Sequence, residues 1–590
     1  MRSVVDSPAM DHIERLWPEF ARDPRHLRLG LASDGVSPYS IKSSTYSIWP
    51  VALINYNIPP WLATKKGFVI LALILPGPKQ TKKFDVFLEP LVEELKQLWM
   101  GVGDMFDGRS NRNRIGRDRW FTLKGILMWT MHDYPGYGQV SGLQTKGYRA
   151  CPTCAEGLPS AWSSHLRKIV YTNYSTFLPM DHPMRGSGVS RNNNPSPQPV
   201  DVAYWDARWN DVQDGRLPLA ESGLRRWSIL HELPYWKDLL IRHLLDPMHI
   251  EANVVKALVK HLYGEKDTVP ARRACEELLV HHNQWIQTTE EGRDVMPPAP
   301  WVLQIDERKI LSQRIGNIRQ PTGFGSCLRK AFKGDKPRWP SDLKTHDLHV
   351  LLQHILPTCL HGLATEEVRQ AIYDLATLMR WVCSKEIHAE EISGKRLFAV
   401  ETLCRLERTF PPSFFDGQVH LLVHLVEEIS ICGPVHTRWM YWLERYMKVL
   451  KDDVRNMSKP EGSMAEGHLH REAMFLCHNI IQQLDPQSPL LFPEDDEERL
   501  TSLRLLHAGR KRTMSQVELE QVHNFILLNS DIMDAWASVY EEEKRRVVTV
   551  IPYIPRERQH LQNRPTVALS EIHEDEDVDE EVEVTVDRVM

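Results

Sequence analysis

WFTLKGILMWTMHDYPGYGQVSGLQTKGYRACPTC, residues Trp120 to Cys154, sets an apolar run, an acid and a pair of thiols in a row. The run from Trp120 to Asp133 is dominated by apolar residues and predicts a β-strand ending on the Asp133 carboxylate. Cys151 and Cys154 follow 18 residues later in Cys-x2-Cys spacing. These residues alone leave two readings open. One is a catalytic carboxylate beside a metal clip; the other is a turn followed by two ordinary thiols. Partners elsewhere in the chain must choose between them.

Toward the N-terminus the texture is that of a sheet. LRLGLAS (Leu27 to Ser33) predicts a first strand ending at Asp34-Gly35. YSIWPVALINYNIPP (Tyr46 to Pro60) predicts a second, with Pro50 suggesting an edge or a bulge. Phe68 to Leu75 is a third, stopped by PGPK, and FDVFLEPLVEELKQLWMG carries apolar residues at helical spacing. Three strands, a helix and another strand make an α/β layer. Asp34 and Asp133, 99 residues apart, each end a strand. Neighbouring strand ends in an open sheet bring such carboxylates together, and a few carboxylate oxygens suit Mg²⁺. An acid at a strand-turn junction is nevertheless more often a plain surface residue.

Toward the C-terminus the pattern changes. Residues 155–215 are poorly patterned and include the loop-like RGSGVSRNNNPSPQPVD. After Leu233 the chain turns helical: EANVVKALVKHLYG, THDLHVLLQHILP, TEEVRQAIYDLATLMRWVCSK, GKRLFAVETLCRLERTF and GQVHLLVHLVEEI all carry stripes of period 3.6. His420 and His424, an i, i+4 pair in VHLLVHL, stack on one helix face, so both rings can reach a single ion. Alone they read as a helix-packing pair; with Cys151 and Cys154 they would supply the four N and S ligands of a tetrahedral Zn²⁺ site.

The 590-residue chain has 42% hydrophobic and 25% charged residues, ordinary for a globular protein. Its first residues, MRSVVDSPAM, lack the apolar segment of a signal peptide, and FVILALILP (Phe68 to Pro76) is too short to span a bilayer. Nine scattered cysteines point to a reducing compartment, so a soluble intracellular protein without a membrane partner is expected. The net charge is −6, but residues 571–590 hold ten acids and one arginine, which leaves +3 on residues 1–570. That tail is expected to be disordered. Arg109, Arg112, Arg114, Arg117 and Arg119 crowd GRSNRNRIGRDRW, either a solvated loop or a contact for DNA phosphates. GRKRT (Gly509 to Thr513) fits a nuclear import signal.

Several long phrases carry a resemblance: SDGVSPYS, YSIWPVALINYNIPPW, FTLKGILMWTMHDYPGYGQVSG, KGYRACPTC and LLDPMHIEANVVKAL. They resemble plant CACTA (En/Spm-type) transposases of the tnp2 family. KTHDLHVLLQHILP, FPPSFFDGQVHLLVHLVEEI, GPVHTRWMYWLERYMKVLK and NMSKPEGSMAEGHL resemble the helical domain that follows it. The resemblance spans about residues 25 to 480. It implies an α/β RNase H-like core with a DDE triad, interrupted by a large, mostly α-helical insertion. It further implies Mg²⁺- or Mn²⁺-dependent cleavage and strand transfer of DNA in the nucleus. Partners would be transposon ends and target DNA, a second copy of the chain and a second element-encoded end-binding protein. Tyr39, the Tyr-Pro-Gly after Asp133, and Pro247 depart from the family's habit but remove no carboxylate. The family's N-terminal end-reading part is expected to be missing. The alternative is a domesticated or inactive descendant that binds DNA or protein without cutting.

For the third acid the resemblance offers Glu444, in TRWMYWLERYM, with Glu251, in DPMHIEANV, in reserve. The order acid, Cys pair, helical insert, His pair, acid is similar to that of CACTA-like and Transib-like transposases and the related RAG recombinase. There zinc ties the insertion to the core, which favours Glu444. His249 is set aside as a helix-start residue packing on the core, and the aromatics around Glu444 as packing residues. The resulting division is a remnant at 1–26, the first part of the core at 27–154, and the insertion at 155–418. The zinc-ligand helix and final core helix follow at 419–480, then a helical region at 481–570 and the tail at 571–590.

Overall fold

Leu27 to Ser33 is mostly apolar, and six of its seven residues are buried; it forms β1, the middle strand of a five-stranded sheet. β2 (Trp49–Asn55) pairs with it antiparallel, and β3 (Ile70–Leu75) pairs antiparallel with β2. Helix α1 (Phe84–Met100) follows, burying Phe84, Leu88, Leu91, Val92 and Leu95. β4 (Gly125–His132), buried at every residue, pairs parallel with β1, and β5 (His243–Leu245) pairs parallel with β4. The order is β3-β2-β1-β4-β5. Burial on both faces is what parallel strands demand, and it explains why β1 and β4 read as continuous apolar runs. Gly30 in β1 is required by packing, since a Cβ there would lie 2.6 Å from the Tyr56 hydroxyl.

The computed structural model describes residues 1–39, 46–78, 83–106, 120–185, 196–290, 292–320, 328–332, 339–340 and 343–484, with side chains to residue 477. Residues 1–472 form one compact unit; of the second, 473–590, only the last turns of a helix are described. The arginine cluster Arg109 to Arg119, the GRKRT segment and the acidic tail lie outside the described residues.

Beyond β5 come α2 (Pro247–Leu262), α3 (Thr345–Val350), α4 (Glu366–Val382), α5 (Ile392–Thr409), α6 (Gly417–Cys432), α7 (Tyr441–Asp452) and α8 (Pro460–Leu484). Two apolar cores divide the unit. One is built from α2 to α6 together with Cys151 and Cys154. The other is the sheet's own, and it takes in Met440, Trp442, Leu443, Tyr446, Met447 and Leu450 at the start and along α7. The chain therefore leaves the sheet after β5 and returns to it at α7.

Two expectations need correction, and one open alternative is decided. The predicted fourth strand divides: Trp120–Leu123 leaves the sheet for a hairpin with Val102–Phe106, and only Gly125–His132 enters it. The alternating exposure of Trp120–Leu123, against full burial after Gly125, is the physical mark of that break. The sheet's fifth strand lies inside 155–418, the range assigned to the insertion; three residues are too few to show a period. Pro50 sits on an inner strand, β2, beside a register shift at Val51/Ala52 against β3, so the bulge reading and not the edge reading describes it. The poorly patterned stretch also holds a small hairpin, Ala161–Ser163 with Lys168–Val170, and a helix, Val202–Gln213, capped by Asp201.

Candidate functional site

Three neighbouring parallel strands each release the chain through an aspartate. Ala32 pairs with Met131, and His132 with Leu245, so Asp34, Asp133 and Asp246 follow the paired ends of β1, β4 and β5 in the same register. Each uses an oxygen on local backbone. Asp34 Oδ1 accepts from Gly35 N at 2.6 Å, and Asp133 Oδ1 accepts from Gly136 N at 2.7 Å, capping helix Tyr134–Ser141. Asp246 caps α2 through Met248 N and His249 N, with Pro247 at the first helical position. The Asp133 turn and a candidate catalytic carboxylate are thus one and the same feature: one oxygen caps and the other stays available.

Asp246 also fixes two further groups. Its Oδ2 holds His249 Nδ1 at 2.6 Å, and its Oδ1 accepts from Met440 N at 3.0 Å, pinning the chain just before α7. His249 Nε2 lies 3.9 Å from Glu444 Oε1. Asp246 is sealed in, whereas 37% of the Glu444 side chain is exposed. Glu444 therefore faces outward at the rim of the strand ends, in reach of a ligand.

The electrostatics are unbalanced in a way that invites a cation. Burial, and then the charge of Asp133, push Asp34 up to about 7, against His249 and the Gly35 amide. Burial raises Asp133 and Glu444 too, with the Gly136 amide pulling Asp133 back and the His249 charge pulling Glu444 back. Burial works against a charged His249. The hydrogen bond and charge of Asp246, with the charges of Asp34 and Asp133, outweigh it and lift the imidazole to about 9. A histidinium is thus held among carboxylates that repel one another. Hard, partly accessible carboxylate oxygens of this kind suit Mg²⁺ or Mn²⁺.

Glu251 has other partners. It is 1% exposed, its Oε2 is 2.6 Å from His349 Nδ1, and its Oε1 accepts from Gln353 Nε2 at 2.8 Å.

The second candidate site lies in the helical core. The ligand atoms of Cys151, Cys154, His420 and His424 all fall within 4.8 Å of one another, and all four residues are buried. Cys154 Sγ is 3.5 Å from His420 Nε2 and 3.1 Å from His424 Nε2, and the two Nε2 atoms are 3.2 Å apart. A tetrahedral ion with bonds of about 2.0–2.3 Å spaces its N and S ligands roughly 3.3–3.8 Å apart, so the donors fit such an ion. His424 Nδ1 is 3.2 Å from Glu427 Oε2, the outer contact that orients a ligating imidazole.

Helix α6 carries a further tether one turn beyond His424. Glu428 Oε2 accepts from Leu245 N at 2.8 Å, and its Oε1 accepts from Arg438 Nη1 at 2.5 Å. Arg438 also donates to Gly433 O. The Cys/His cluster thus joins α6 to the segment after β4, Glu428 joins α6 to β5, and Arg438 and Met440 lead into α7. Sequence reasoning did not find Asp246, Glu428 or Arg438, and it set His249 aside. LLDPMH repeats the acid-then-proline helix start of HDYPG, which is the signal that would have found Asp246.

Residues 1–204 match the family described as Transposase family tnp2, and residues 382–489 match a domain of unknown function. The first match contains Asp34, Asp133 and the Cys pair; the second contains the His pair and Glu444. No curated protein matches the chain.

Proposed function

We propose that this chain, a transposase of the tnp2 family, cuts and rejoins DNA at the ends of β1, β4 and β5, with Asp34, Asp133 and Glu444 as a DDE triad. The strand order, with an antiparallel β1–β3 meander and parallel β4 and β5 beside β1, supports an RNase H-like core. One observation carries the reading: two in-register strand-end aspartates and Glu444 share the same histidine, His249. Divalent cations of the Mg²⁺ class, held by these three carboxylates, would supply activated water and charge neutralisation at the scissile phosphate.

The chain's own residues do the rest. Asp34 and Asp133 keep one oxygen each on backbone amides, which fixes the direction of the other. Asp246 orients His249, and its bond to Met440 N holds the start of α7 and so the position of Glu444. Cys151, Cys154, His420 and His424 take a structural Zn²⁺ that ties α6 to the region after β4. Arg109 to Arg119 contact DNA phosphates by charge. The protein works in the nucleus as a homo-oligomer on transposon ends and target DNA, with a second element-encoded protein binding the ends.

The test is nicking of DNA carrying the element's own ends, with Mg²⁺ or Mn²⁺ and with chelator. Glu444→Gln should abolish metal-dependent nicking while Glu251→Gln retains it in folded protein. Loss with Glu251→Gln and retention with Glu444→Gln would reverse the choice of third acid. Tight binding of those ends by wild-type protein without any nicking would assign the chain to the non-cutting alternative.

A further inference from the structure

Glu251 belongs to a second cluster of donors, separate from the strand ends. It stands on α2; His349 stands on α3; Cys383 caps the end of α4. A Glu251 carboxylate oxygen, a His349 ring nitrogen and the Cys383 Sγ all lie within 4.8 Å of one another. Three helices far apart in sequence thus deliver an oxygen, a nitrogen and a sulfur ligand atom to one point.

A buried ion pair accounts for part of this. Glu251 and His349 satisfy each other at 2.6 Å, and Gln353 completes the carboxylate's hydrogen bonds. The pair gives no reason for a thiol to sit within reach of both ligand atoms. Two more observations point to a ligand. The Tyr441 hydroxyl, whose ionisation is opposed by burial and then by the charges of Glu251 and Cys383, is buried with no hydrogen-bond partner among the described residues. The helix carrying His349 also widens into a π-helical turn over Leu351–Ile355, which contains Gln353. Such turns are rare and concentrate at functional sites.

We propose that Glu251, His349 and Cys383 bind a second transition-metal ion, zinc by the mixed O, N and S chemistry of its donors. The fourth position falls to water or to the Gln353 amide oxygen, with the Tyr441 hydroxyl as its hydrogen-bond donor. Mg²⁺ and Ca²⁺ prefer all-oxygen shells and are excluded by the thiol and imidazole. The ion is structural: it joins α2, α3 and α4 next to the first residue of α7, the helix that carries Glu444. The assignment does not depend on the DDE reading, because its readout is metal content and not DNA cleavage.

The experiment is metal analysis of the purified full chain after desalting, alongside circular dichroism. Wild type should carry about two zinc ions per chain; Cys383→Ser and His349→Gln about one each, and Cys154→Ser about one. The double variant Cys154→Ser/Cys383→Ser should carry none. Replacement by Co²⁺ adds a second measurement: Cys383→Ser should remove about a third of the thiolate-to-cobalt absorption, since three thiolates contribute in wild type. His349→Gln keeps every thiol and serves if Cys383→Ser does not fold. A wild-type content of one zinc that Cys154→Ser removes would overturn the proposal. So would a content of two unchanged in both Cys383→Ser and His349→Gln. A content of one lost with Cys383→Ser but kept with Cys154→Ser would support this site and count against the Cys/His cluster.

Discussion

The strand-end carboxylates and the Cys/His cluster are built on opposite electrostatic terms. At the strand ends, Asp34, Asp133 and Glu444 are all raised, chiefly by burial, and Asp34 feels its neighbours' charge as well. Left alone, those groups carry their charge only against the cost of burial. In the cluster, thiols and imidazoles approach to 3.1–3.5 Å inside a packed helical core, a set that one cation would satisfy completely. The first region stays partly open, as Glu444 shows; the second is sealed. On the proposed reading, a site that takes and releases a substrate tolerates unfavourable charge, and the tether that holds it in place does not. The two meet in α6 and the turn after it, where Glu428 and Arg438 link the cluster's helix to β5.

The comparison breaks most sharply in catalysis. Asp34→Ala or Asp133→Ala should lower metal-dependent nicking by three orders of magnitude or more, about 4 kcal/mol, because each removes ligand charge from the reacting phosphate's surroundings. Asp34→Ala should leave the melting temperature unchanged or raised, since it relieves repulsion, whereas Asp133→Ala also removes the cap of helix Tyr134–Ser141 and should lower it slightly. Cys154→Ser should do the reverse, costing zinc and thermal stability first. If Asp34→Ala unfolds the protein and Cys154→Ser leaves it untouched, the two regions have the roles reversed.

Next in size is the link between them. Arg438 is 1% exposed and is the cation beside the buried Glu428, whose carboxyl burial pushes up to about 7 despite Arg438. Arg438→Met leaves that carboxyl without its partner and should cost roughly 3 kcal/mol of stability, read by urea unfolding. Adding Glu428→Gln should recover part of the loss, because a neutral amide still accepts from Leu245 N. A double variant less stable than Arg438→Met alone would show that the ion pair is not what holds α6 to β5.

Sequence patterns made the sheet's first four strands legible as apolar runs closed by turn residues, and the helices legible as stripes of period 3.6, because each is long enough to stand out. β1 was readable to its ends, as Leu27 to Ser33. β5 was not, since three residues between loop and helix carry no period. The close approach of the Cys pair to the His pair was legible for a different reason: metal-ligand spacing is local on each side, and chemistry supplies the join. Asp246 and His249 were hidden because a helix-capping acid and an acid at a reactive site have the same local sequence. Only the neighbouring strand ends tell them apart. The Glu428–Arg438 pair is ten residues apart, too far for one helix face and too near to announce a tertiary contact.

The smallest expected effect tests the unfavourable charge directly. Asp34 titrates near 3.8 when exposed and at about 7 in the folded protein. A carboxyl raised on folding binds more protons in the native state than in the unfolded state between those values. The contribution of Asp34 to stability is therefore most favourable below about pH 4 and declines as pH rises toward 7, with nothing further lost above that. Asparagine mimics the protonated acid at every pH. In chelator-treated protein, Asp34→Asn should match wild type in melting temperature near pH 4 and exceed it by a few degrees at pH 8. That difference corresponds to about 1 kcal/mol once the partial exposure of the site is allowed for. Added Mg²⁺ should narrow the gap by stabilising wild type alone, because only the carboxylate binds the ion. A gap at pH 8 unmoved by Mg²⁺ would mean that the ion does not bind at Asp34, and a gap equally wide at pH 4 and pH 8 would mean that Asp34 carries no charge stress. The contrast between the two regions would then have to rest on their burial alone.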